Sequence, residues 1–202
     1  NKIDVVTLGC SKNLVDSECM SQMLRDAGLD VVAQPDDADI LIVNTCGFIE
    51  SAKQEAIAAI LDLADHKQPA GRAVSLIVTG CLAQRYAAQI KDELPEVDDV
   101  LGTREYGRIV ETVAKWFPAI RVMRPDRPDR PQTNTPADPD AIEHLRIDRM
   151  PSTPRPYAYL KIAEGCSNHC AYCAIPGIRG EHVSRPFEDL VHEAERFSQA
   201  GY

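Results

Sequence analysis

Short, continuously apolar runs alternate with amphipathic stretches over the first 117 residues of this chain, and that alternation limits the folds open to it. Ile3–Leu8 reads as a strand, followed by a helical pattern through Val15, Cys19, Met23, Leu24 and Ala27 that closes at Gly28. Leu29–Ala33 is a second strand. Ile40–Asn44 and Val74–Val78 are dominated by apolar residues, as strands buried on both faces of a sheet are. The helix after Ile40–Asn44 presents Ala52, Ala56, Ile57, Ile60 and Ala64 on one face; the next presents Ala83, Ala87, Ile90 and Leu94. Val100-Leu101 and Ile109–Trp116 supply a weaker last strand and helix. Strand–helix repetition predicts an α/β fold with a parallel sheet wrapped by helices, in the flavodoxin-like style.

Residues 118–156 change character. Nine of the fourteen prolines fall there, interleaved with Arg, Asp and Thr. That composition predicts a linker, with a docking arm as the alternative. From Tyr157 order returns: Tyr157–Ala163 as a strand, Gly165–Val183 as a loop and Pro186–Ala200 as an amphipathic helix. Leu190, Val191, Ala194 and Phe197 form its expected buried face. One strand–loop–helix unit cannot close a parallel barrel, so the chain reads as a fragment of a longer polypeptide. The expected division is 1–117, 118–156 and 157–202.

The loop carries Cys166, Cys170 and Cys173 in Cys-x-x-x-Cys-x-x-Cys, within the run that begins at Glu164. Three thiolates this close can face one inorganic cluster and leave one iron of a four-iron cubane without a protein ligand. An open iron is a place for chemistry, which points to an enzyme. A structural zinc knuckle is the alternative, but it calls for four ligands, and no fourth Cys or well-spaced His follows. His169 would have to crowd between two ligands.

Three other cysteines each follow a predicted strand and adjoin a glycine: Gly9-Cys10, Cys46-Gly47 and Gly80-Cys81. In a parallel α/β sheet the carboxyl ends of the strands share one edge, where ligands bind. Cys10, Cys46 and Cys81 are therefore expected to converge on a second three-thiolate site, zinc remaining open on spacing alone. The glycines would let the backbone approach a bulky ligand. Cys19 lies on the apolar face of the first helix and is expected in the core.

Formal charge is −9, with 22 basic against 31 acidic side chains, which disfavours non-specific binding to a nucleic-acid backbone. Asn1-Lys2 runs straight into the first strand without a signal-peptide pattern, and no apolar run approaches membrane-spanning length. A first residue other than Met suggests a trimmed start. The expectation is a cytosolic address, where cysteines bind metal more often than they bridge.

Four motifs in order resemble the radical-SAM methylthiotransferases: Leu8-Gly-Cys-Ser-Lys-Asn-Leu-Val-Asp-Ser-Glu18, Val43-Asn-Thr-Cys-Gly-Phe-Ile49, Thr79-Gly-Cys-Leu-Ala-Gln84, and Leu160-Lys-Ile-Ala-Glu-Gly-Cys-Ser-Asn-His-Cys-Ala-Tyr-Cys173. Ile175-Pro-Gly-Ile-Arg-Gly180 and Ser184-Arg-Pro186 continue the likeness. Gly-Cys-Ser-Lys-Asn and Asn-Thr-Cys-Gly-Phe-Ile are similar to the branch that methylthiolates the β-carbon of an aspartate in small-subunit ribosomal protein S-twelve. The transfer-RNA branch, with Gly-Cys-Gln-Met-Asn and Asn-Thr-Cys-x-Val-Arg, is the alternative; a non-catalytic iron–sulfur or zinc-binding module is another.

The resemblance implies that residues 157–202 begin a radical-SAM domain, a partial TIM-type barrel. It implies that Cys166, Cys170 and Cys173 hold a 4Fe–4S cluster whose open iron chelates S-adenosylmethionine, giving a 5′-deoxyadenosyl radical that abstracts hydrogen from an unactivated carbon. It implies that Cys10, Cys46 and Cys81 hold an auxiliary 4Fe–4S cluster tied to the transferred sulfur, with a second S-adenosylmethionine as methyl donor. An electron donor of reductase or flavodoxin type is also implied. Tyr172 would pack on the cluster or on adenine, or within the loop. Asn13, Asn44 and Arg179 would play supporting roles around the ligands. Further barrel strands and a β-rich substrate domain belong to the family pattern, so these residues alone are expected not to turn over.

Overall fold

The computed structural model describes residues 1–117 and 139–202. Within the first of these, β1 (Lys2–Thr7), β2 (Asp30–Val32), β3 (Ile40–Thr45), β4 (Ser75–Gly80) and β5 (Asp99–Leu101) form one sheet. All four pairings are parallel and the strand order is β2-β1-β3-β4-β5. This is the flavodoxin-like order, in which the direction of winding reverses between β1 and β3. Helices α1 (Ser11–Asp26), α2 (Glu50–Ala64), α3 (Cys81–Glu93) and α4 (Ile109–Ala114) return the chain between strands or follow the last one.

Alternation along the central strands divides the core into two layers. Leu41 and Val43 of β3, with Leu76 and Val78 of β4, pack against Ala56, Ile60 and Leu63 of α2 and Ala83 and Ile90 of α3. Ile40, Ile42 and Ile77 face the other way, onto Met20 and Leu24 of α1 and Ile109 and Val113 of α4. Every residue of β3 and β4 is buried, which explains their apolar centres, Ile40–Val43 and Leu76–Val78.

Some helix faces differ from expectation. Ile57 is 41% exposed, and Leu63 takes its place in the core. The backbone of Tyr86 leaves helical geometry (φ −130°), Ala87 turns outward, and the Tyr86 ring packs on the core instead.

Beyond the sheet, a 3₁₀ segment spans Pro139–Arg146, and β6 (Ala163–Glu164) pairs antiparallel with β7 (Val183–Ser184). Between them lies α5 (Ile175–Arg179); α6 (Phe187–Gln199) follows. Tyr157–Ile162 is not a strand: among the described residues it has no ladder partner, and only the Ile162 carbonyl accepts from a backbone N–H, that of Arg185. The apolar face expected for α6 is also revised. Val191 and Ala194 are exposed, while Glu193 and Phe197 are buried, because Glu193 accepts from the buried Arg185 and pairs with Arg149.

The proline-rich stretch falls largely on residues 118–138, outside the described residues. Its later part packs firmly, contrary to the composition argument. Ile142 and Leu145 lie against Val15 and Cys19 of α1, and Arg149 is 1% exposed. No helix among the described residues is long and apolar enough to cross a membrane.

Candidate metal centres

Parallel pairing brings three strand ends abreast. Thr7 pairs with Asn44, Asn44 with Thr79, and Thr45 with Gly80. Cys46 and Cys81 follow their strands immediately, and Cys10 caps the amino end of α1. Cys10 and Cys46 lie near enough to Cys81 to act on its thiol electrostatically. Burial pushes the Cys81 thiol up, Arg179 pulls it down, and the nearby Cys46 and Cys10 push it up again. Cys10 is exposed, Cys46 half-buried and Cys81 buried. Cys10 also lines an open depression of about 280 Å³, rimmed by Leu8, Leu14, Thr153, Tyr157 and Tyr159.

The glycines beside the three cysteines are closely packed. A Cβ on Gly9 (φ +92°) would stand 2.6 Å from the Cβ of Cys46; one on Gly80 (φ +98°) would stand 2.4 Å from the Asn44 Oδ1. A Cβ on Gly47 would meet the Leu82 backbone at 2.7 Å. Their missing side chains thus let the strand ends and neighbouring residues pack against one another.

Asn13 and Asn44 lock this edge. The Asn13 Nδ2 donates to the carbonyls of Leu8 (2.9 Å) and Thr45 (3.0 Å), tying the ends of β1 and β3 together. Asn44 donates to the Asn13 carbonyl (2.9 Å) and to the Ser17 hydroxyl (3.0 Å). Both side chains are fully buried, so these bonds fix the edge geometry.

Cys166, Cys170 and Cys173 lie in the loop between β6 and α5. The Cys166 N–H donates to the Gly180 carbonyl (3.0 Å) and the Cys173 N–H to that of Cys170 (2.9 Å). Cys170 is exposed and its two companions are half-buried. His169 (φ +47°) turns to Glu181, 3.4 Å away, and not toward a thiol. The Tyr172 ring is 91% exposed, so it does not pack within the loop.

All seven cysteines are free, and Cys19 is wholly buried in the core. Among the described residues no three His, Cys, Asp or Glu side chains stand close enough to hold one metal ion. A zinc ion would draw its thiolates to within about 2.3 Å of a single point. A cubane instead holds each thiolate on a separate iron, so its ligands stand farther apart than those of a single ion.

A network of buried charge joins the two cysteine trios. Asp16 on α1 accepts from Lys161 (2.6 Å) and from Arg179 (2.8 Å), and pairs with the His144 ring at 3.1 Å. Burial opposes its ionisation, yet Lys161, His144 and Arg179 prevail and hold the Asp16 carboxyl well below the usual range. Glu164, two residues before Cys166, behaves alike: burial raises it, Lys161 and Arg179 outweigh burial, and the net shift is downward. Glu18 on the same helix pairs with the buried Arg149 and accepts from the Ser152 hydroxyl at 2.7 Å. Sequence reasoning missed Asp16, Glu18, Lys161 and Glu164. The available signal was Lys161, a lone charge inside the apolar run Tyr157–Ala163.

Comparison with known proteins agrees with this architecture. The chain is 44% identical over 200 residues to a protein of Symbiobacterium thermophilum, covering 99% of this chain and 39% of the relative. It is 45% identical to one of Trichlorobacter lovleyi over 99% of this chain and 42% of the relative. A Caldicellulosiruptor saccharolyticus protein is 42% identical over 203 residues, 100% of this chain and 43% of the relative. Each carries the name "Ribosomal protein uS12 methylthiotransferase RimO". The chain thus spans about two fifths of the length of these curated relatives. The sequence profile described as "Uncharacterized protein family UPF0004" matches residues 2–102, covering β1 to β5 and all three strand-end cysteines, and the chain belongs to that family.

Proposed function

We propose that this chain is part of a radical-SAM methylthiotransferase that adds a methylthio group to the β-carbon of an aspartate in small-subunit ribosomal protein S-twelve. The observation that carries the reading is the placing of Cys10, Cys46 and Cys81 at one edge of the sheet, near enough for Cys10 and Cys46 to act on the Cys81 thiol, with buried side chains linking that edge to the segment that leads into Cys166, Cys170 and Cys173. The names of the relatives support the substrate, and the acidic charge balance suits a basic ribosomal partner.

In this reading each trio holds one 4Fe–4S cluster, and Tyr172 is exposed and free to cover a cofactor bound beside Cys173. When bound, the clusters supply reductive activation of S-adenosylmethionine and a site for sulfur; a radical is needed because the reacting C–H bond offers no acidic proton. The chain's own residues do the rest. Asn13 and Asn44 fix the spacing of the strand-end thiols, and Asp16, Lys161 and Glu164 seat the cysteine loop against that edge. Residues 1–117 form the auxiliary-cluster domain, 118–156 the connection, and 157–202 the opening of the radical-SAM domain. Electrons come from a reductase or flavodoxin-type donor, and the setting is cytosolic.

The test uses the intact protein, reconstituted anaerobically, with iron and sulfide counted. Wild type should hold two clusters' worth; C10A/C46A/C81A and C166A/C170A/C173A should each hold one. With S-adenosylmethionine and a reductant, mass should appear on ribosomal protein S-twelve. Mass on a transfer-RNA adenosine instead would move the chain to the other branch. Zinc in closed four-ligand sites would reduce it to a binding module.

A further inference from the structure

The Arg179 side chain touches the sheet edge, the segment that leads into the cysteine loop and the Cys81 thiol. It closes α5, is 3% exposed, and is followed by Gly180, whose carbonyl accepts the Cys166 N–H. Its Nη1 donates to Asp16 Oδ2 at 2.8 Å and to Glu164 Oε2 at 3.0 Å. Its Nη2 donates to Asn13 Oδ1 at 2.6 Å and lies 3.5 Å from the Cys81 sulfur as a donor. One planar fork thus spans the carboxyl edge of the sheet, the strand that leads into the cysteine loop, and one thiol of the strand-end trio.

The electrostatics give this contact a direction. Asp16 and Glu164 are shared between Arg179 and Lys161, which binds both carboxylates. Two buried anions are therefore matched by two buried cations, and a second N–H of Nη2 is directed at sulfur. Lysine, a point charge on a flexible stem, could not serve four acceptors at these fixed angles. Hydrogen bonds and positive charge at a ligating sulfur stabilise the reduced, more negative state of an iron–sulfur cluster and raise its potential.

We propose that Arg179 is a positioning residue of the strand-end cluster: its guanidinium holds the Cys81 thiolate, tunes that cluster's reduction potential, and through Glu164 sets the register of the Cys166–Cys173 loop against it. The proposal rests on the reading that Cys10, Cys46 and Cys81 carry a cluster. Arg85 donates at 2.7 Å to the Gly47 carbonyl, beside Cys46, and so reaches backbone and not sulfur. It is the internal comparison.

The experiment uses the intact protein in the C166A/C170A/C173A background, so that only the strand-end cluster remains, and follows its reduction by electron paramagnetic resonance at controlled potential. Arg179→Met should lower the midpoint enough to change the oxidised-to-reduced ratio about tenfold at fixed potential, about 59 mV for a one-electron couple. Arg179→Lys should shift it the same way by less, and the exposed Arg108→Met should leave it unchanged. Should the methionine variant not fold, the lysine variant decides.

A measurement without substitution at Arg179 stands beside these. With guanidino-¹⁵N-labelled arginine, the reduced cluster should show a nitrogen coupling that survives Arg85→Lys. Loaded Arg179 variants with the wild-type potential, or no nitrogen coupling, overturn the proposal while leaving the cluster reading intact. Failure of the background protein itself to bind iron overturns the cluster reading, and this proposal with it.

Discussion

The Lys161 ammonium donates to the Asp16 carboxylate at 2.6 Å across a sequence separation of 145 residues, with both side chains almost wholly out of solvent. Asp16 belongs to the first helix of the sheet domain and Lys161 to the segment that leads into the cysteine loop. Breaking a buried pair by removing one partner leaves the other charge uncompensated, which is far costlier than losing a surface pair. Asp16→Asn should therefore destabilise the protein by about 3–5 kcal/mol in urea unfolding. The exposed Asp26→Asn, on the same helix, should change it by about 0.5 kcal/mol or less. Equal effects would show that the pair does not hold the two segments together.

The same carboxyl sets an acid limit. Its folded-state pKa lies below the ordinary value of 3.8 because Lys161, His144 and Arg179 outweigh the penalty of burial. The unfolded chain therefore takes up the proton first as pH falls. The stabilisation is fully present above the unfolded value and is lost as pH drops through 3.8 toward the folded one. Urea midpoints should be insensitive to this group above about pH 5 and decline below it, with a shallower acid slope in Asp16→Asn. A variant with the wild-type acid slope would contradict the assignment.

Gly9 and Gly28 both have positive φ, yet they should respond differently to alanine. At Gly28 (φ +83°) a Cβ meets nothing within 4 Å, so the cost is the left-handed backbone alone, about 1–2 kcal/mol. At Gly9 the Cβ also runs into Cys46 at 2.6 Å, which adds overpacking of about 1–3 kcal/mol. Gly9→Ala should displace Cys46 and lower iron loading on the strand-end trio selectively. Loading on Cys166, Cys170 and Cys173 should persist. Chemical denaturation and iron counts in the two Cys-to-Ala backgrounds check both halves.

Cys19 should be chemically silent. It is fully buried, and burial pushes its thiol up to about 12 despite the opposing charge of Arg149. Thiol reagents at neutral pH should label Cys10 and Cys170 in the metal-free protein long before Cys19, as mass mapping can show. Cys19→Ser should leave iron content unchanged while costing about 1–3 kcal/mol for a buried hydroxyl.

Much of the sheet domain was readable because its physics is local. Ile40–Asn44 and Val74–Val78 are dominated by apolar residues, since both faces of β3 and β4 are covered, and the cysteines stand one residue beyond Thr45 and Gly80. The charge network was not readable. Asp16 with Lys161 and Glu18 with Arg149 pair across separations of 145 and 131 residues, and such pairs leave no periodic trace. The same long-range pairing misled the reading of α6, where Glu193 displaced the expected apolar face. It also hid the packing of Ile142 and Leu145, because a proline-rich composition records what a segment can bury alone and not what a neighbouring helix offers it.

Cys10, Asn13, Asp16 and Glu18 occupy the cap and first turns of one helix, so a single rod carries a thiol at its tip and grips the far segment along its flank. Distances between those contacts are thereby graduated by helical rise, about 1.5 Å per residue, and not by loop length. Inserting one residue between Asn13 and Asp16 would swing every later side chain by about 100° and advance the gripping carboxylates off their cations. The reach from one trio of thiols to the other is thus written into helical pitch.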